Sequence, residues 1–133
     1  MPGITDLKLL LAGMKPDLVE GEVVYCSVPA SSLADYIHMN PVGLFQEREG
    51  VTLILPVEVA RQAGLPAEPA MRMITLDIHS SLEAVGLTAA LATALGNERI
   101  SANVVAGYYH DHIFVPAADA GRAMAALQAL SVV

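Results

Sequence analysis

The polar residues with the clearest chemical potential lie at one junction, His79-Ser80-Ser81-Leu82-Glu83, where an alternating strand pattern runs into a helical one. Ser80 and Glu83 have the spacing of a capping box, which fixes a helix start. A helix N-terminus presents unpaired backbone N–H groups and a partial positive charge, and both favour a carboxylate. Glu83 and Asp77 carry the charge to hold an ammonium group. The junction therefore predicts a site for a small zwitterion.

The same residues have a simpler interpretation, in which Ser80 and Glu83 only cap the helix. The two interpretations compete, because a side chain that pairs with a backbone N–H removes that donor from a ligand. The sequence leaves both open.

Three histidines are candidate metal ligands: His79, His110 and His112, with Asp111 between the last two. A His-x-His pair on a strand places both imidazoles on one face, which suits zinc or nickel. However, His110-Asp111 is predicted as a turn, where the alternation breaks, and the single Cys26 supplies no set of sulfur ligands. A structural role in the turn, or exposure at a strand end, is the favoured interpretation. We predict no metal and no cofactor.

Catalytic signatures are sparse. The sequence contains no Gly-x-Ser-x-Gly elbow, phosphate loop or Cys–His signature. Asp77 with a neighbouring histidine has the chemistry for acid–base catalysis, but charged groups at strand ends are more often solvated. We predict that the protein is not an enzyme, and that Tyr108, Tyr109 and Phe114 pack in a core or an interface.

Composition narrows the classes of partner. The chain has 133 residues and a net charge of −7, with seven scattered basic residues. That balance argues against nucleic acid and anionic membranes, because phosphates need clustered Lys and Arg. The sequence contains no run of ~18 apolar residues, so it predicts no membrane span. No basic region precedes the first apolar run, so the sequence predicts no signal peptide. Cys26, in an apolar strand pattern, is predicted to be a buried, inert thiol. We predict a cytoplasmic protein.

The first half of the sequence predicts short elements bounded by Gly and Pro. In order, these are a helix over 5–14 capped by Thr5, a turn between Pro16 and Gly21, a strand over 22–28, a helix over 31–38 capped by Ser31 or Ser32, a hairpin of 42–47 with 51–55, a helix over 57–63 ending at Gly64, and a connector over 65–69.

The second half begins with a strand from Arg72 that alternates cleanly. Ile74, Leu76 and Ile78 share one face, and Thr75, Asp77 and His79 share the other. The helix that follows, to about Leu95, is apolar nearly all round, which predicts burial on more than one side and a subunit or subdomain contact. A strand over 101–109, a turn at His110-Asp111, a strand over 112–115 and a helix from Pro116 to Leu130 complete the half.

The two halves repeat one order of elements: strand, helix, hairpin, helix. Val51-Thr52-Leu53-Ile54-Leu55-Pro56 echoes His112-Ile113-Phe114-Val115-Pro116, and each is followed by an alanine-containing helix. This order predicts an α/β (α+β) protein with a ferredoxin-like βαββαβ topology and antiparallel sheets. The predicted halves are 1–69, with a leading helix, and 70–133.

At this point the sequence resembles the ACT-domain proteins, in particular small bacterial proteins with two ACT-like halves related to aspartokinase regulatory domains. HSSLEAVGLTA together with YYHDHIFVP carries the resemblance in the second half, and LFQEREGVTLILP carries it in the first. The resemblance implies a regulatory fold that binds amino acids or similar metabolites at the first strand–helix loop and the following strand. In this chain the matching positions are His79, Ser80, Ser81, Leu82, Glu83, Val85, Gly86, Ile100, Ser101 and Asn103.

This chain departs from the ACT pattern in its loop, which lacks the usual Asp-x-Pro-Gly turn, and in having no attached enzyme domain. We therefore predict a sensor that acts through self-association, as a homodimer, or through a partner. The alternatives are a protein–protein interaction module without a ligand and a histidine-based metal-binding protein.

Overall fold

A computed structural model describes residues 3–77 and 85–131 of the chain, with side chains described over 7–77 and 86–131. The chain divides into two compact units. The continuous unit is Gly21–Met71, and the split unit combines the segment up to Glu20 with the segment from Arg72 onward. The leading helix thus groups with the C-terminal half, although the sequence places it beside the first half.

The continuous unit is built on an antiparallel sheet. Its elements are β2 (Val23–Val28), α2 (Leu33–Tyr36, flanked by 3-10 turns), β3 (Gly43–Gln46), β4 (Val51–Pro56) and α3 (Val57–Gln62). The strand order is β3-β4-β2, and Val23 also pairs with Met71. Apolar residues alternate along β2 and β4 because their inward side chains form the core, which holds Val24, Cys26, Val28, Val51, Leu53, Leu55, Val57 and Ala60.

The split unit takes its fourth strand from the beginning of the chain. Its elements are α1 (Gly3–Gly13), β1 (Lys15–Leu18), β5 (Met71–Asp77), α4 (Val85–Asn97), β6 (Asn103–Ala106), β7 (Asp111–Pro116) and α5 (Ala120–Leu130). The first residue of β5, Met71, is counted with the continuous unit. The strand order is β1-β5-β7-β6, with β1 antiparallel to β5 and β6 antiparallel to β7. The predicted ferredoxin-like, tandem arrangement is confirmed.

The core of the split unit lies between its sheet and its helices. Ile74, Leu76, Ile113 and Val115 face α4 and α5, as the alternation of β5 predicts. The helices contribute Leu87, Leu91, Leu95, Ala120, Ala123 and Leu127, which are all at most 5% exposed. The opposite face of the sheet carries Thr75 and His112, which positions the polar groups considered below.

Several local predictions are wrong. The predicted turn after Pro16 is strand β1, in which Pro16 is paired in register with Leu76; Pro is tolerated there because β1 is a sheet edge. Helix α1 begins at Gly3, so Thr5 lies inside it. Ser32 makes no capping hydrogen bond from its side chain, and Pro29 precedes the helical turn at Ala30 instead of Ser31.

Within the chain, helix α4 is buried on one side, so burial of its other side by a subunit contact remains a prediction. Leu87, Leu91 and Leu95 are buried, whereas Ala89 and Ala92 are exposed. The contrast arises because alanine counts as apolar in the sequence pattern but is small enough to lie at the surface without a large apolar area.

The β6–β7 hairpin turns earlier than predicted. Strand β6 ends at Ala106, and the Gly107 N–H donates to the carbonyl of His110 at 2.8 Å, so the turn is Gly107–His110 and Asp111 already belongs to β7. A Cβ at Gly107 would lie 2.8 Å from that carbonyl oxygen, which explains the glycine. Tyr108 and Tyr109 are 95% and 75% exposed at the turn, so they are not in the core, whereas Phe114 is 3% exposed and is in the core as predicted. Packing of the two tyrosines in an interface remains a prediction.

Among the described residues, no helix combines the length and the apolar character needed to cross a membrane.

Candidate functional site

The predicted ligand loop falls between the described segments. Strand β5 ends at the exposed Asp77 and α4 begins at Val85. The predicted residues His79, Ser80, Ser81, Leu82 and Glu83, with the capping box, lie outside the described residues, as does Ile78. Their role as a ligand site remains a prediction.

The first turn of α4 packs closely against the leading helix. An added Cβ at Gly86 would lie 3.2 Å from Cδ2 of Leu7 on α1, which is tighter than ordinary van der Waals contact. Leu7, Leu10 and Leu11 pack against the core of the split unit. Gly86 therefore allows α1 to approach the beginning of α4, next to the predicted loop.

Ile100, Ser101 and Asn103 lie after the other end of α4. The Ile100 N–H donates to the Leu95 carbonyl at 3.0 Å, and the Ile100 side chain is 4% exposed in the core. The hydrogen bond and the burial hold Ile100 in place, while Ser101 and Asn103 are exposed. Asn103 begins β6, opposite Phe114. Ile100 thus fixes the segment, and the polar side chains of Ser101 and Asn103 are accessible.

The length of α4 separates the two predicted groups. Helix α4 has 13 residues, which at 1.5 Å per residue is about 18 Å from its first residue to its last. Val85 and Gly86 begin the helix, while Ser101 follows its end.

The histidine pair is organised by strand β5. Thr75 Oγ1 on β5 and His112 Nδ1 on β7 are 3.0 Å apart, and Asp17 on β1 pairs in register with Thr75. The rings of His110 and His112 are 6.5 Å apart between centroids, nearly perpendicular. His110 Nδ1 is buried and has no hydrogen-bond partner among the described residues. The arrangement is a polar row across one face of the sheet.

Electrostatics favour a neutral His112. Burial lowers the pKa of His112 below its ordinary value, the nearby His110 lowers that pKa further, and Asp111 opposes both effects. Over the part of the chain that the structure describes, no three His, Cys, Asp or Glu side chains are arranged to hold a metal ion. His79, the third predicted ligand, is outside that part.

Thr75 is a site residue that sequence reasoning did not single out. The alternation of β5 correctly placed it on the polar face, but its partner depends on β7 lying next to β5. Cys26 agrees with its prediction: it is 4% exposed, its Sγ lies 3.6 Å from the Pro66 carbonyl oxygen, and burial raises the pKa of its thiol. A thiol in that state is a poor nucleophile.

Family models match almost the whole chain. Two models, each described as an ACT domain, match residues 2–72 and residues 68–129. No functionally curated protein matches.

Solved structures are similar to this chain at two levels of sequence identity. A Vibrio cholerae protein, VC0802, described as a protein of unknown function and possible transport protein, is 50% identical with a TM-score of 0.88 over 98% of this chain and 99% of its own. The Agrobacterium tumefaciens protein Atu0741 is 13% identical with a TM-score of 0.71, and coverage is 89% of both chains. The regulatory subunit of Thermus flavus aspartate kinase is 13% identical with a TM-score of 0.64, over 89% of this chain and 96% of that subunit. At that identity the last two show a common fold.

Proposed function

The chain belongs to the ACT-domain family, as its sequence resemblance predicted, and from this premise we propose that it is a regulatory sensor for an amino acid or a similar metabolite. ACT domains typically bind small molecules of this kind for regulation. The observation that carries the proposal is coverage: the two ACT matches span residues 2–72 and 68–129, so nearly every residue belongs to such a domain. We propose that the protein acts by binding and not by catalysis.

The proposed ligand site combines the start of α4 with the segment that enters β6. The loop residues Ser80 and Ser81 and the backbone N–H groups of the first turn suit a carboxylate. Asp77, exposed at the end of β5, suits an ammonium group. Asn103 is exposed and offers both a donor and an acceptor.

The distance between these two groups supports the proposal of self-association. Because about 18 Å of helix α4 separates them, a ligand the size of an amino acid reaches both most directly when two copies of the chain contribute one group each. We therefore propose a homodimer with the ligand held between copies. A ligand in that position would bias assembly, which is how a protein without catalysis transmits a signal.

A thermal-shift screen with the twenty amino acids tests the sensor. A ligand at ~100 times its dissociation constant should raise the melting temperature on the order of 4–10 °C. Ser81→Ala combined with Asn103→Ala should remove the shift, while the control Thr88→Ala, at an exposed position of α4, should keep it. A selective shift that survives the double variant would show that the ligand binds elsewhere.

A ligand-free interaction module is the second candidate, and exposed apolar residues of one hairpin favour it. Val105 on β6 is 45% exposed, and Tyr108 and Tyr109 at the turn are more exposed still. Exposed tyrosines are typical of interface anchors. This candidate predicts dimers at micromolar concentration with no added metabolite, by light scattering. A monomer that dimerises only when an amino acid is added would favour the sensor.

A further inference from the structure

The continuous unit contains an open cleft beside α3 that the proposed sensor site does not use. It has a volume of about 550 Å³, and its lining includes Glu22, Val57, Arg61, Ala67, Glu68 and Ala70. We call it the α3 cleft. The volume lies within the range of roughly 300–1,000 Å³ that is usual for small-molecule sites.

Hydrogen bonds hold the walls of the α3 cleft in place. The Val57 N–H donates to the Glu22 carbonyl at 3.0 Å, which fixes the segment before β2 against the start of α3. The Gly64 N–H donates to the Arg61 carbonyl at 3.0 Å, and the Leu65 N–H to the Ala60 carbonyl at 2.9 Å. These bonds turn the connector back along α3. Glu22 and Arg61 therefore belong to backbone that is held by hydrogen bonds.

The charges at the rim have both signs. Within the described segments, Arg61 pairs with Glu58 through Nη1 alone, and the Arg61 side chain is 60% exposed. A guanidinium carries five N–H donors in a planar fork, so Nη2 and Nε remain available for a carboxylate. Glu22 and Glu68, both exposed, present acceptors that suit an ammonium group.

We propose that the α3 cleft binds a small zwitterion of the neutral or basic amino-acid class. Its carboxylate pairs with Arg61 and its ammonium group with Glu22 and Glu68. Val57, which is 8% exposed, together with Ala67 and Ala70 provides an apolar surface for a short aliphatic side chain. Two carboxylates against one guanidinium disfavour an acidic amino acid, because it adds a negative charge to a rim with a negative excess. This proposal uses no residue of the sensor site and stands independently of it.

Calorimetry on the full chain tests the proposal with L-lysine, L-alanine and L-aspartate as probes. L-lysine and L-alanine should bind, and L-aspartate at least about tenfold more weakly. Arg61→Gln should weaken binding by about ten- to a hundredfold, the usual loss for a hydrogen bond to a charged group. Glu22→Gln with Glu68→Gln should weaken L-lysine more than L-alanine. All three positions are exposed, so these variants should fold.

Glu58→Gln is the matched control. It changes a carboxylate on the same helix that pairs with Arg61 but does not line the cleft. Binding should be kept or strengthened, because the guanidinium is released. Methyl resonances of Val57, Ala67 and Ala70 should shift with the probe in NMR spectra.

Two results would overturn the proposal: undiminished binding in Arg61→Gln, or no binding of any probe up to about 10 mM, well beyond the millimolar range of weak ligands. The Ser81→Ala, Asn103→Ala double variant separates the two sites. If that double variant loses the binding that Arg61→Gln keeps, the ligand occupies the sensor site and the α3 cleft is empty.

Discussion

The two units repeat one order of elements but stabilise it in different ways. In the continuous unit the first helix, α2, has four residues, and none of them is buried. In the split unit the corresponding helix, α4, has 13 residues and buries Leu87, Leu91 and Leu95 completely. The first helix of the continuous unit thus adds no buried residue to its core, whereas the first helix of the split unit supplies three.

The hairpins of the two units also differ, because their equivalent polar residues have partners in different places. In the continuous unit Thr52 Oγ1 donates to Glu47, so the polar contact stays within the β3–β4 hairpin. In the split unit the equivalent position is His112, which contacts Thr75 on a different strand. The comparison shows that one order of elements accommodates a self-contained hairpin and a hairpin tied to the rest of its sheet.

The largest expected difference between the two units is the stability lost when a leucine of the first helix is truncated. Leu91→Ala should cost about 2–5 kcal/mol, because a fully buried leucine leaves a cavity. Leu33→Ala on α2, which is only half-buried, should cost about 1 kcal/mol. Urea unfolding measures both. Equal costs would mean that the two units rely on their first helices alike.

Substitution of the turn glycines should cause the next largest loss of stability. A Cβ at Gly107 or at Gly50 would lie 2.8 Å from a backbone carbonyl oxygen, that of His110 or Val28. Gly107→Ala and Gly50→Ala should each cost about 1–3 kcal/mol. Gly121→Ala is the control: nothing lies within 4 Å of its added Cβ, so α5 should gain about 0.5 kcal/mol in a thermal melt.

Acidification should destabilise the split unit and not the continuous unit, because His112 lies in the split unit. This effect should be smaller than that of the glycine variants. The pKa of His112 is lowered in the folded state, mainly by burial, so the unfolded chain takes up the proton more readily. Stability from His112 is therefore full above its ordinary pKa of 6.5 and is lost as the pH falls below that value. After correction for the intrinsic pH dependence of amide exchange, the protection of backbone amides between pH 7.5 and 5.5 should fall in β6 and β7 and not in β3 and β4.

His112→Gln should reduce this pH dependence, because glutamine does not titrate and can still contact Thr75. His38→Gln, at an exposed position of the continuous unit, should leave it unchanged. A pH dependence retained in His112→Gln would assign the effect to another group.

The smallest expected effect is at Thr52. Its hydrogen bond to Glu47 is exposed, and Thr52→Val keeps the β-branched shape, so the cost should be about 0.5–1 kcal/mol. Chemical unfolding of the variant measures it. A cost comparable to that of the glycine variants would show that the hairpin of the continuous unit depends on this one contact.

Local patterns in the sequence predicted much of the fold. The alternation of β5 placed Ile74 and Leu76 in the core, and Gly64, with a φ of +75°, ends the helical segment of α3 as expected. The repeat of strand, helix, hairpin and helix is present in both units. These features depend on neighbours within a few residues, which is why periodicity and turn residues reveal them.

Pairings between distant segments were not predictable in this way. Lys15–Leu18 reads as a turn because Pro16 is a poor strand residue, and only an edge position on β5 makes a strand there favourable. The same limit applies to Thr75, whose contact with His112 requires the order of β5 and β7. For the hairpin turn, Gly107 was a local signal that favours Gly107–His110 over His110-Asp111.

The split unit also imposes an order on folding. Strand β1 pairs with β5 through Lys15 and Asp77, more than sixty positions apart, whereas the continuous unit closes within Gly21–Met71. During synthesis the continuous unit emerges whole before β5 is complete, and the leading segment must wait for its partner strand. Pairing over long sequence separation slows folding because loop closure costs entropy before contacts form. Strand β1 is therefore made before the continuous unit and is paired only after that unit has been made.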